Sequence, residues 1–251
     1  MNKIALLLIS ITLFSSCNLY KPGRANVPIL EGKNDGNVSV SLGRNYGVEA
    51  SYSPINHLGI IANYTNGFQN VELKDEGNSN STVVNRYNNQ QYEFGLGYYF
   101  RIDTSHYFEI YAGYGIGESG VFGTKNDLFL RTQVAMEAMH EHLFIQPSFA
   151  YEFNKTTSIR LTAKLALITF YDINNSPYYP QPESYFFDRT FTSIQPTMTL
   201  VKKEKVLDFS WQLGLYISPE NGFYTNRWLN TSISLGVNLN RLREKIKGTD
   251  Y

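Results

Sequence analysis

From Glu141 to Tyr171 the chain reads EHLFIQPSFAYEF, then NKTT, then SIRLTAKLALITFY, and apolar side chains fall on every second position. Leu143, Ile145, Pro147, Phe149, Tyr151 and Phe153 form one row; Ile159, Leu161, Ala163, Leu165 and Leu167 form the next. Gln146, Ser148, Ala150 and Glu152, and later Arg160, Thr162 and Lys164, take the alternate positions. Successive side chains of a strand point to opposite faces, so a period of two predicts two strands joined at NKTT. Each run is about a dozen residues, longer than the ~5–6 of an ordinary strand and enough for the ~9–11 that cross a bilayer.

The rest of the chain repeats this grammar. Val38, Val40 and Leu42 alternate with small polar residues, as do Val48, Ala50 and Tyr52. A third run covers His57 to Phe68, with Leu58, Ile60, Ala62 and Tyr64 apolar. A fourth spans Gln90 to Ile102, and a fifth carries Phe108, Ile110, Ala112 and Tyr114. In both, glycines sit on the polar face, which suits a closely packed interior. After the Glu141–Tyr171 pair come runs at Arg189 to Lys202, Leu207 to Ile217 and Leu229 to Leu239. The prediction is ten strands. Turns after the second, fourth, sixth and eighth are short. The other connections include polar loops at Gln69 to Asn89, Glu118 to His140 and Asp172 to Asp188. Within Glu118 to His140, Ala135 to Met139 fit a helical turn, while Leu128, Leu130, Thr132 and Val134 fit an extended strand.

The predicted fold is an all-β, antiparallel up-and-down transmembrane β-barrel over residues 37–240. A soluble lipocalin-like barrel has the same period with its apolar face inside. Run length and aromatics at run ends favour the membrane form. Tyr98, Tyr99, Phe100, Tyr107 and Phe108 are expected at the short-turn girdle, and Tyr64, Tyr171, Phe191, Tyr224 and Trp228 at the other. Short turns on one side and long loops on the other predict periplasmic turns and external loops. Ten strands then place both termini in the periplasm.

Composition narrows the class further. The 251 residues carry 22 Lys and Arg against 22 Asp and Glu, so nothing in the charge points to nucleic acid. A mean hydropathy of −0.30 argues against helical spans, which need ~20 consecutive apolar residues, and leaves a barrel open. Residues 1–16 read as a signal peptide, with Lys3 followed by the apolar run Ile4 to Phe14. The string LFSSC ends in Cys17, the single cysteine, and resembles a bacterial lipoprotein signal. That resemblance implies an acylated Cys17, and one cysteine excludes an internal disulfide. Residues 17–36 lack periodicity and read as a periplasmic tether; 241–251 read as a polar periplasmic tail.

The segments GVEASYSPINHLGIIANYTNGF, YEFGLGYYF and IYAGYGIG resemble a family of outer-membrane β-barrel lipoproteins of Gram-negative bacteria. The resemblance rests on strand grammar, and no activity carries over with it. The run SLGVNL partly resembles the terminal signal of such barrels, although Arg241 stands where an aromatic or aliphatic residue usually follows. The partners implied are outer-membrane lipid and the barrel-assembly and lipoprotein-sorting machinery.

Candidate chemistry is sparse. His140 and His142 flank Glu141 and would share one strand face, a weak metal candidate for want of further ligands and more simply a loop-edge pair. His57 and His106 fall at short turns. No G-x-S-x-G elbow appears, and no catalytic constellation is recognisable. The expectation is therefore no enzymatic activity and no cofactor, with a lipid-modifying enzyme as an alternative. The polar faces predict a lumen network of Glu93, Glu109, Glu152, Arg160, Lys164, Asp208 and Gln212. A narrow barrel of this kind is filled by its own side chains, which favours a structural or surface-interaction role. A small-solute channel or transport accessory is a second alternative. Tyr178, Tyr179, Tyr185, Phe186 and Phe187 form an aromatic loop cluster suited to an extracellular ligand. Matching faces across NKTT predicts Phe153 opposite Ile159, Tyr151 opposite Leu161, Phe149 opposite Ala163, Glu152 opposite Arg160 and Ser148 opposite Lys164.

Overall fold

A computed structural model describes residues 22–43, 45–74, 82–127, 130–175, 190–217 and 228–248. Among these, ten antiparallel strands close into a barrel. They are β1 (Gly36–Gly43), β2 (Tyr46–Ile55), β3 (Leu58–Lys74), β4 (Thr82–Arg101), β5 (His106–Asp127), β6 (Leu130–Asn154), β7 (Thr157–Asn175), β8 (Thr190–Glu204), β9 (Leu207–Tyr216) and β10 (Trp228–Asn238). Each pairs with its neighbours in the chain, and β1 closes on β10 with Val40 between Val48 and Leu235.

The alternation sorts side chains as expected for a membrane wall. Val40, Phe94, Leu96, Leu143, Leu161, Leu167 and Ile233 lie outward and exposed, while Ser39, Glu49, Asn63, Gln91, Gln146, Thr162, Lys164 and Gln212 are buried inside. An apolar exterior around a polar interior inverts the soluble lipocalin-like arrangement, and hydrocarbon is the environment that covers it without cost. The stretch Leu143 to Phe153, about 33 Å of strand, covers roughly 25 Å at a tilt of about 40°. The fold is a transmembrane β-barrel.

An aromatic cluster covers the short-turn end of β4 to β6. Phe100 packs on Tyr98 and Phe108, with centroids 6.0 and 5.5 Å away, and His106 lies 4.9 Å from Tyr151. Two residues expected in this cluster, Tyr99 and Tyr107, instead face inward at 5% and 4% exposure. Their positions are odd-even opposite to Tyr98 and Phe108, so clustering in sequence does not mean sharing a face. At the other end Tyr64 packs against Tyr92 with ring centroids 5.0 Å apart and Tyr171 is exposed, whereas Phe191 points into the lumen. Tyr224 and the side chain of Trp228 lie outside the described residues.

The wall is uneven. β3 to β6 run 17, 20, 22 and 25 residues, against 8 for β1 and 10 for β9. The polar stretches expected as loops at Gln69–Asn89 and Glu118–His140 are largely strand: Lys74 pairs with Thr82, and Asp127 with Leu130. The helical reading of Ala135–Met139 gives way to strand extension, because Val121 and Phe122 pair with Met136 and Ala135 across the sheet. Tertiary pairing overrides local helix propensity here. The polar tail begins as a short helix, α1 (Leu239–Ile246), capped by the Asn238 side chain accepting from the Arg241 N–H.

The β6–β7 register differs from the expected one by two residues. Tyr151 pairs with Ile159, Phe149 with Leu161, Ala150 with Arg160 and Ser148 with Thr162. The cause is the turn. Asn154 Oδ1 accepts the N–H groups of Thr156 and Thr157 at 2.9 Å, so the connection tightens to Lys155–Thr156. Parity is unchanged, and the inner and outer rows keep their faces.

Residues 22–30 depart most from expectation. They are buried along the lumen rather than hanging below it as a tether. From Glu31, beside Lys203 at the short-turn mouth, the chain traces back to Pro22, whose carbonyl accepts from Asn45 at the β1–β2 turn. Nothing of residues 1–16 or Cys17 falls among the described residues.

Candidate functional site

The lumen is the site, and the N-terminal segment is its main occupant. Residues 22–30 join no strand ladder, and wall side chains take up several of their backbone groups, as burial demands. Gln212 brackets Ala25, accepting from its N–H at 3.2 Å and donating to its carbonyl at 3.0 Å. Gln195 donates to the Gly23 carbonyl and Gln146 to that of Asn26. Glu109 accepts from the Leu30 N–H. Arg24 forms an ion pair with Glu49 at 3.2 Å and donates to Ser210. Val27, Ile29 and Leu30 supply apolar bulk, with Ile29 against Tyr107 and Ala150. Below them Asn34, Asp35 and Ser53 exchange backbone bonds, and Asp35 also accepts from Glu31, Gly36 and Asn238. Burial pushes the Asp35 carboxyl up despite the Glu31 and Gly36 N–H groups that favour its charge.

Beside the segment lies a network centred on Glu93. One carboxylate oxygen accepts from Gln91 at 2.6 Å, meets His142 Nε2 at 2.8 Å and pairs with Lys164; the other accepts from Asn63 at 3.0 Å. Asn63 in turn accepts from Asn26 at 2.7 Å, which ties the network to the lumen segment. Lys164 also lies over the Phe144 ring, 4.7 Å from its centroid. Charge matching of this quality is what a low-dielectric interior requires.

Room for these side chains comes from the β4–β5 glycines. A Cβ on Gly115 would strike His142, and one on Gly97 would strike Tyr111. The polar-face glycines are therefore the sockets for large inward groups from β5 and β6. A cluster of Ile61, Tyr111, Phe144, Ile168, Phe170, Phe191 and Tyr216 fills other inward positions. Sequence reasoning missed it; inward Ile168 and Phe170 continue the polar row of β7, where only the parity count from Lys164 marks them.

The seven residues expected in the lumen network all lie on inward positions, in separate groups. Glu93 and Lys164 join at the hub. Glu152 accepts from Tyr107 and pairs with Lys203 at 2.9 Å near the mouth, where Asp208 pairs with Arg241. Gln212 and Glu109 hold the lumen segment. Arg160 does not meet its expected partner: Glu152 faces Ser158, and Arg160 pairs across strands with Ala150 and Thr199. Tyr178, Tyr179, Tyr185, Phe186 and Phe187 lie outside the described residues.

His140 and His142 are not a loop-edge pair. They are 0% and 1% exposed inside the barrel, with rings 6.0 Å apart. No group of three or more metal-ligating side chains occurs among the described residues. Ser119 sits 3.5 Å from His140 Nδ1 while donating to Asn89 at 2.9 Å, so that hydroxyl is already committed to an amide. His106 bonds Asp103 at the β4–β5 turn, and His57 adopts φ +68° beside Tyr98 at the β2–β3 turn. Backbone N–H from Ser105, then the His106 side chain, hold the Asp103 carboxyl below its usual range.

A cavity of about 760 Å³ remains between residues 24–29 and the wall formed by β7 to β10 with β1 and β2. Lys155, Lys205 and Lys245 stand exposed at its mouth end.

No family model matches the sequence, and no curated protein matches it. Among solved structures it is similar to the outer-membrane protease OmpT of Escherichia coli, with 8% identity over 83% of this chain and 94% of that one, at a TM-score of 0.44. The NanC porin is similar with 11% identity over 81% and 98%, TM-score 0.32. CarO2 of Acinetobacter baumannii is similar with 10% identity over 83% and 100%, TM-score 0.35. These are likenesses of barrel architecture and supply no function.

Proposed function

We propose that this chain is an outer-membrane β-barrel closed by its own N-terminal segment, with a structural or surface-interaction role and no enzymatic activity. The observation that carries the reading is the burial of Gly23 to Leu30 along the lumen, fastened at both carbonyl and N–H groups. A transport barrel would present a continuous polar path there. This one spends its lumen amides and carboxylates on its own backbone. The tall β3–β6 wall, extending past the apolar belt, supplies a surface for an extracellular partner, to which the Tyr178–Phe187 aromatics would contribute.

In this reading the short-turn mouth and α1 face the periplasm, and Cys17 is acylated as the LFSSC string implies. Pro22 lies well up the lumen, so a periplasmic N-terminus no longer follows from strand count. A second reading, a small-solute channel, draws on the cavity beside the segment. Cell fractionation with heat-modifiable gel mobility tests the barrel and its membrane together. The protein is expected in the outer-membrane fraction, migrating faster unheated than heated. Palmitate labelling that persists in Cys17→Ser would overturn the lipoprotein assignment, and a soluble protein would overturn the whole reading.

A further inference from the structure

The cavity beside the N-terminal segment contains a cation that the surrounding protein leaves unmatched. Arg160, on the inner row of β7, is 9% exposed and lines the cavity. Its Nε is buried without a hydrogen-bond partner among the described residues, and none of their carboxylates lies within ion-pairing distance of its guanidinium. Glu109 and Asp208 attract it only across space. The other inward cations of the cavity wall are matched: Arg24 with Glu49, Lys203 with Glu31 and Glu152, Arg241 with Asp208. A buried guanidinium without a partner is costly, and in a wall whose other inward cations are paired it marks a place reserved for something else.

We propose that the cavity binds a small oxyanion, a carboxylate or phosphate group docking on the Arg160 guanidinium. The planar fork suits bidentate recognition of either group. A second donor stands beside it. Thr199 pairs with Arg160 across β7 and β8, lines the same cavity and accepts from Gln212, which leaves its own hydroxyl proton to donate. Among the described residues the wall also carries eight cationic side chains against six carboxylates, a balance that favours an anionic guest. At about 760 Å³ the space fits a small solute rather than a polymer. The site goes beyond the closed-barrel reading, because it holds whether or not the lumen conducts.

Titration calorimetry on the purified, folded protein in detergent tests this, with succinate, inorganic phosphate and neutral succinamide as probes. One or both anions bind and succinamide does not; their order of affinity tells a carboxylated from a phosphorylated ligand. Arg160→Gln weakens binding at least about tenfold, and Arg160→Lys weakens it less, since the charge remains without the fork. Absence of binding by either anion at about 10 mM would overturn the proposal. So would equal affinity in wild type and Arg160→Gln, or binding that emerges only in Glu109→Gln, which would assign Arg160 to Glu109. Should Arg160→Gln lose heat-modifiable mobility, phenylglyoxal modification of Arg160 in the wild type decides. Protection by succinate or phosphate supports the site, and no protection by either refutes it.

Discussion

Glu93 shows how much of this interior rests on single residues. Its two oxygens receive Lys164, His142, Gln91 and Asn63, so removing it leaves a buried ammonium facing amides. Glu93→Ala is expected to destabilise the barrel by about 3–5 kcal/mol in urea unfolding, and Glu93→Leu with Lys164→Met to recover much of that loss. Gly115 is the steric counterpart. Gly115→Val drives a methyl group into His142 and the Tyr92 carbonyl, with an expected cost of about 1–3 kcal/mol by the same assay. Asp35 adds a pH dependence. Its folded pKa is raised by burial, so its contribution is fully present below the unfolded value and is lost as pH rises through the folded one. Stability in urea unfolding is therefore expected to fall on passing upward through that window, and Asp35→Asn to flatten the change.

At the scale of elements, the strands were the legible part. Period-two alternation located all ten and assigned Leu143, Leu161 and Ile233 outward and Glu93, Lys164 and Gln212 inward, because parity survives errors in strand length. Lengths and registers were less legible. Polar, Asn-rich stretches such as Val83–Gln90 look like loop until a partner strand is known, and β3 and β5 provide that partner. The β6–β7 register turned on one side chain, Asn154, whose two N–H contacts shorten the turn. Cysteine pairs test it: Phe149→Cys with Leu161→Cys is expected to cross-link under mild oxidation, and Phe149→Cys with Ala163→Cys to stay reduced. The lumen segment was the least legible element. PGRANVPIL has no period of its own, and its conformation is dictated by Gln146, Gln195 and Gln212, which lie 120 or more residues away. Val27, Ile29 and Leu30 were the available signal, since a solvated tether has little use for three apolar side chains so close together.

In the whole molecule two facts meet: the outer surface suits lipid, and much of the inner surface is taken up by the chain's own N-terminal segment. Ten strands enclose more than their side chains alone must fill, and residues 22–30 take up much of the difference. The barrel and its stopper are thus one folding unit, linked through Asn26, Asn63 and Glu93. Current through the purified protein in a planar bilayer tests this claim most directly. The intact chain is expected to show no steady open-channel current, and a variant lacking residues 22–30 to conduct. Steady current through the intact chain, unchanged by the deletion, would contradict the account.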